Sequence, residues 1–106
     1  MPKYLIQASY TSEGVKGLLK DGGSKRRAAA ESAIKGLGGK LESFYFAFGN
    51  TDVFAVAEAP DNISAAAVSL AVSASGLVQA KTTVLLTPEE MDQVTKKTVN
   101  YRPPGT

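Results

Sequence analysis

LESFYFAF (residues 41–48), Gly49-Asn50-Thr51-Asp52, then VFAVAEAP (residues 53–60) is the stretch that decides the fold. Two runs rich in aromatic and β-branched residues flank four turn formers, the pattern of a β-hairpin. It holds all four Phe of the chain and one of its four Tyr, so it is expected to carry much of the core. On the first arm Glu42, Phe44, Phe46 and Phe48 alternate with Leu41, Ser43, Tyr45 and Ala47; on the second, Phe54 and Val56 oppose Val53, Ala55 and Ala57. Both faces are largely apolar, whereas a sheet with one solvated face alternates more cleanly. Alternation alone leaves open which row of the hairpin faces which way.

Upstream, Lys3–Tyr10 reads as a strand with Tyr4, Ile6 and Ala8 on one face and Leu5, Gln7 and Ser9 on the other. Thr11 is expected to cap a helix with the stripe Val15, Leu18 and Leu19. Gly22-Gly23 breaks it, because consecutive glycines cost about 1 kcal/mol each inside a helix. Ser24 is then expected to cap a second segment, Lys25–Leu37, which carries Ala30, Ala33, Ile34 and Leu37 inward and ends at Gly38-Gly39. Downstream of the hairpin, Asp61 caps a helix with the stripe Ile63, Ala66, Ala67, Leu70, Ala71 and Ala74; Leu77–Leu86 is the last strand. Thr87-Pro88-Glu89-Glu90 opens a terminal helix with a capping box and Pro at its first position.

That order is strand, helix, strand, strand, helix, strand, helix: the α+β, ferredoxin-like βαββαβ pattern with an extra C-terminal helix. Right-handed crossovers place both long helices on one face of a four-stranded antiparallel sheet and leave the other bare. A half-apolar bare face is unfavourable in a monomer, so a second copy packing sheet to sheet is expected, as a homodimer or higher homo-oligomer.

Composition narrows the chemistry. One domain spanning residues 1–106 fits the length. With no Cys, disulfides, thiolate nucleophiles and zinc–thiolate sites are excluded. With no His, the commonest general base, metal ligand and proximal haem ligand are missing, so no metal site or cofactor is expected. A net charge of +2 does not call for a polyanion. RNA-recognition modules share the element order, but here the third strand starts Asp52-Val53-Phe54, without their basic-Gly-aromatic entry; no nucleic-acid partner is expected. MPKYLIQASY lacks the charge pattern of a signal peptide. The uncharged run Asn62–Ala80 is Ser- and Ala-rich and broken by Gly76, which favours a buried helix over a membrane span. The expected location is the cytoplasm, with no membrane partner.

MPKYLIQASYTSEGVKGLL, GGSKRRAA, LESFYFAFGNTDVF, the Ala-Pro-Asp helix start and KTTVLLTPEEM together resemble the GYD-domain family of small bacterial proteins. The resemblance covers nearly the whole chain. It implies a ferredoxin-like domain of the dimeric α/β-barrel type. The Gly-x-Tyr-Asp turn corresponds to Gly49, Asn50, Thr51 and Asp52; Thr51 departs from the Tyr, so a role resting on that ring does not carry over. The resemblance brings no settled biochemical activity.

Three constellations are candidate sites, and each has a plain structural alternative. Gly22, Gly23, Ser24, Lys25, Arg26 and Arg27 join flexible glycines, a helix start and three cations, which suits an anion; the plainer reading is a solvated basic helix start after a break. Lys81, near Gln7, Ser9 and Gln79 and with Tyr45 if its row faces the same way, suits an intersheet cavity in which an amine acts as a base or anion anchor. Its alternative is an ion pair with Glu42 or Glu58, or a surface Lys. Asp52 and Gly49 read as turn residues, Gly49 supplying a positive φ and Asp52 capping its own backbone; the functional alternative sets Asp52 at a cavity mouth. Tyr4, Tyr10, Tyr45 and Tyr101 are further hydrogen-bond donors. No residue set identifies a catalytic role. The expectation is an oligomeric barrel protein that binds a small anionic or apolar molecule between sheets; the alternative is a non-catalytic assembly module without a ligand.

Overall fold

The computed structural model describes residues 1–106. In chain order it forms β1 (Lys3–Tyr10), α1 (Ser12–Asp21), α2 (Gly23–Gly36), β2 (Lys40–Phe46), β3 (Val53–Glu58), α3 (Asn62–Ala74), β4 (Val78–Leu85) and α4 (Pro88–Thr95). The four strands make one antiparallel sheet in the order β2-β3-β1-β4, which is the ferredoxin-like arrangement expected.

Local chemistry sets most boundaries. The Thr11 hydroxyl accepts the Gly14 N–H and caps α1, and the Asp61 carboxylate accepts the Ser64 N–H at 2.8 Å and caps α3. Thr87 and Glu90 form the reciprocal capping box at α4, with Pro88 at its first position. The α1–α2 break falls at Gly22, whose φ of +79° suits only glycine. Ser24 does not cap α2: the helix begins at Gly23, two residues earlier than expected, with Gly22 in the cap position and no side chain satisfying its first amides. Gly38 and Gly39 close α2 by donating to the Lys35 and Ile34 carbonyls.

The hairpin contains a bulge. Leu41 pairs with Ala57 and Ser43 with Val56, so Glu42 is the extra residue. The bulge flips the alternation of the first arm: Leu41 joins Phe44 and Phe46 on the helix side, and Ser43 and Tyr45 take the bare side. This settles the row that alternation left open. Gly49 does not supply a positive φ, since the positive-φ glycines are Gly22, Gly38, Gly76 and Gly105. Phe48 lies beyond the strand and is fully exposed.

The core is built from Tyr4, Ile34, Leu41 and a set of valines and alanines, not from the Phe row. Tyr4, Ile34, Leu41, Val53, Ala55, Ala57, Ala59 and Val78 are buried, while Phe46, Phe48 and Phe54 are exposed and Phe44 packs only at the edge. Full burial of Ile34 or Leu41 stabilises by about 2 kcal/mol each; each alanine gives much less. The stripe read from the spacing of α3 faces outward. Ile63 is 83% and Leu70 72% exposed, with Ala66, Ala67 and Ala71, while Ala65, Val68 and Val72 turn toward the sheet. An uncharged helix thus shows its larger apolar residues to solvent.

α3 packs on β4 and α2 on β2, and no helix covers the opposite face of the sheet. α4 and the segment after it project from the body: residues 88–106 are exposed throughout. The radius of gyration is 16.7 Å, against about 13 Å for a compact chain of this length. No helix is long and apolar enough to cross a membrane.

Candidate functional site

Strand register puts five of the sequence candidates on the bare face. Gln7 stands directly opposite Lys81, and Ser9 opposite Gln79, across β1 and β4. On the other side Gln7 faces Phe54, and Phe54 faces Tyr45. The result is one row across all four strands: Tyr45, Phe54, Gln7, Lys81. Directly opposed residues have Cβ atoms about 4.5–5.5 Å apart, which sets the four residues side by side on one face. A second row, Ser43, Val56, Leu5 and Thr83, runs beside it. Aromatic area lies at one end, an amide in the middle and an ammonium at the other end.

Lys81 has no ion-pair partner. The carboxylates weighed for it, Glu42 and Glu58, are both taken by Lys3, whose ammonium donates to Glu42 and lies 3.5 Å from Glu58. The Glu42 hydrogen bond is the main reason the Lys3 amine is held above its ordinary value of 10.5. That cluster closes one end of the bare face. At the other end the Ser9 hydroxyl donates to the Asn50 carbonyl at 3.1 Å, tying the hairpin loop to β1.

Asp52 does not join the row. Its carboxylate accepts the Tyr10 backbone N–H at 2.8 Å, and its own N–H donates to the Ala8 carbonyl at 2.9 Å. It does not cap its own turn; it clamps the end of β1. Tyr4 is likewise committed, its hydroxyl donating to the Asn62 side chain at 2.7 Å.

The basic segment does not converge. Gly23, Ser24, Lys25 and Arg27 are exposed at the start of α2, and Arg26 alone turns toward the sheet. Sequence reasoning missed two features here. Phe54 sits at the centre of the row, and only cross-strand register finds it. An apolar groove lies on the helix side between α2 and α3, and the outward rotation of α3 that opens it runs against the stripe pattern. No group of three or more Asp or Glu side chains is arranged to hold a metal.

The sheet order and the helices on one face define the chain as a ferredoxin-like α+β domain. A family model described as GYD domain matches residues 4–95. The chain therefore belongs to the GYD domain family. Comparison with curated proteins and with solved structures returns no match.

Proposed function

We propose that this GYD protein is a homo-oligomeric small-molecule-binding protein, in which a second copy covers the bare sheet face and a ligand lies between the two sheets. The observation that carries the reading is the row Tyr45, Phe54, Gln7 and Lys81, with an unpaired ammonium at one end and exposed rings at the other. Such a row suits an apolar body held by Tyr45 and Phe54 and an anionic group held by Lys81. Surface area supports the second copy. The chain exposes 7539 Å², against about 5700 Å² for a folded monomer of 11.1 kDa. The excess, about 1800 Å², includes the projecting residues 88–106 and is more than the roughly 800 Å² that each partner gives to a standard interface. Nothing in the row supplies a nucleophile–base pair, so binding, not a named reaction, is the function put forward.

The test joins two measurements: the solution mass by light scattering, and a thermal-shift screen of small anionic and apolar metabolites on wild type and Lys81→Ala. The reading expects a mass of at least two chains and a ligand whose shift is lost in Lys81→Ala. A monomer at micromolar concentration removes the intersheet site, and ligands that shift both proteins equally remove Lys81 from it.

The outward face of α3 favours a second reading, that of an assembly module without a ligand. Ile63, Ala66, Ala67, Leu70 and Ala71 form an apolar stripe of mostly small residues on a helix that carries no charge, which suits close approach by another chain. An oligomer with no hit in the metabolite screen supports this reading.

A further inference from the structure

The helix side of the sheet holds a cavity of about 160 Å³ between α2 and α3. Its floor joins Ala8, Ala55 and Ala80 to larger apolar residues such as Ile6 and Phe44, and its walls include Ala30 and Ala33 from α2 and Val68 and Val72 from α3. Both helices present short side chains, so they do not close over the strands. The volume is near the roughly 150 Å³ of an apolar cavity that stays dry and admits benzene.

One charge enters this space. Arg26 is half-buried, lines the cavity, and forms no ion pair or side-chain hydrogen bond. Glu58 also borders the cavity, but its carboxylate belongs to the Lys3 cluster on the other face. Arg26 and Tyr10 further border an adjoining recess of about 260 Å³, which Asp21 also lines. A half-buried guanidinium that forms no ion pair at the mouth of an apolar cavity is complementary to a carboxylate, which it can hold with two parallel hydrogen bonds. The single cation and the nearby Asp21 disfavour a dianion such as a phosphate monoester.

We infer that this groove is a second binding site, separate from the bare sheet face, for a small monocarboxylate whose apolar part is about one six-membered ring. The ring lies over this floor between α2 and α3. The carboxylate meets Arg26 where the groove opens into the recess, within reach of the Tyr10 hydroxyl. The site needs one chain only, so it stands or falls independently of the oligomer.

The test is an amide NMR titration of the ¹⁵N-labelled full chain with phenylacetate and with its neutral counterpart 2-phenylethanol. Both probes are expected to shift amides of α2 and α3, with phenylacetate binding more tightly. Arg26→Gln is expected to weaken phenylacetate by about tenfold or more, the scale of a lost charge-assisted hydrogen bond, and to leave 2-phenylethanol within about twofold. Ala30→Phe fills the groove and is expected to abolish both, while its spectrum reports whether the fold is kept. The inference is overturned if millimolar phenylacetate shifts no amide of α2 or α3, if Arg26→Gln weakens both probes equally, or if the groove amides respond to protein concentration alone. The last outcome assigns the groove to a second copy of the chain.

Discussion

Asp52 and Tyr10 are joined across 42 residues by a carboxylate that accepts a backbone N–H at 2.8 Å. Together with the Asp52 N–H bond to Ala8, this fastens the loop between β2 and β3 onto the end of β1. Asp52→Ala is expected to lower stability by about 1–3 kcal/mol, because it leaves the half-buried Tyr10 amide without a partner. Asp52→Asn keeps an acceptor oxygen and is expected to lose less. Urea unfolding of the three proteins measures this. Unchanged stability in Asp52→Ala would return Asp52 to the list of functional candidates.

Gly14 and Leu77 make the second prediction. The Thr11 N–H donates to the Leu77 carbonyl at 2.9 Å, drawing the start of α1 against the entry of β4. A Cβ on Gly14 would lie 1.9 Å from the Leu77 carbonyl oxygen, which is backbone and cannot swing away. Gly14→Ala is therefore expected to destabilise by about 1–3 kcal/mol, as overpacking does, despite alanine's better helix propensity. Gly17, on the same helix with nothing near, is the control: Gly17→Ala is expected to be neutral or stabilising. Thermal unfolding of the pair separates contact from propensity.

These two contacts mark the limit of what the sequence discloses. Strand identity, the caps at Thr11, Asp61 and Thr87, and the ferredoxin-like order depend on neighbours a few residues apart, and all are legible. The bulge at Glu42 depends on pairing with β3, and it decides whether Tyr45 or the Phe row meets the bare face. The Tyr45–Phe54–Gln7–Lys81 row is half legible: period-two alternation assigns the faces of β1 and β4, but only register aligns the four residues. α3 misleads because every side of it is apolar, so a stripe chosen by spacing has no polar side to orient it. Asp52 misleads for another reason: a turn residue is assumed to bond locally, and its partner lies in β1.

The cap of α3 gives a pH dependence. The Ser64 backbone N–H, and then its hydroxyl, hold the Asp61 carboxyl below its ordinary value of 3.8. The folded chain therefore binds this proton less readily than the unfolded one. The cap's stabilisation is full above 3.8 and is lost as pH falls through the lowered folded value. The melting temperature of wild type is expected to exceed that of Asp61→Ala at neutral pH, and the gap is expected to close in acid. Lys3 acts in the opposite sense. Held up by Glu42, it contributes below its ordinary 10.5 and loses that contribution as pH rises through the raised folded value. Melting curves of Lys3→Met and wild type are expected to converge in strong alkali.

Two apolar surfaces compete to be the oligomer interface, and a charge placed on each decides between them. Phe54 is at the middle of the bare face, flanked by Tyr45 and Gln7, and already half withdrawn from solvent by its neighbours. Leu70 is at the middle of the outward stripe of α3 and is far more exposed. Neither contributes to the core of its own chain, so a glutamate at either position is compatible with folding, which circular dichroism checks. Central aromatic residues of an interface typically cost 2 kcal/mol or more when lost, about thirtyfold in affinity. A buried unpaired carboxylate adds to that. If the sheets pack face to face, Phe54→Glu is expected to reduce the light-scattering mass to one chain at micromolar concentration, and Leu70→Glu to leave it unchanged. The reverse result would place the partner on α3 and leave the Tyr45–Lys81 row open to water. A ligand could then reach that row without an oligomer, but the second sheet needed to enclose it would be absent.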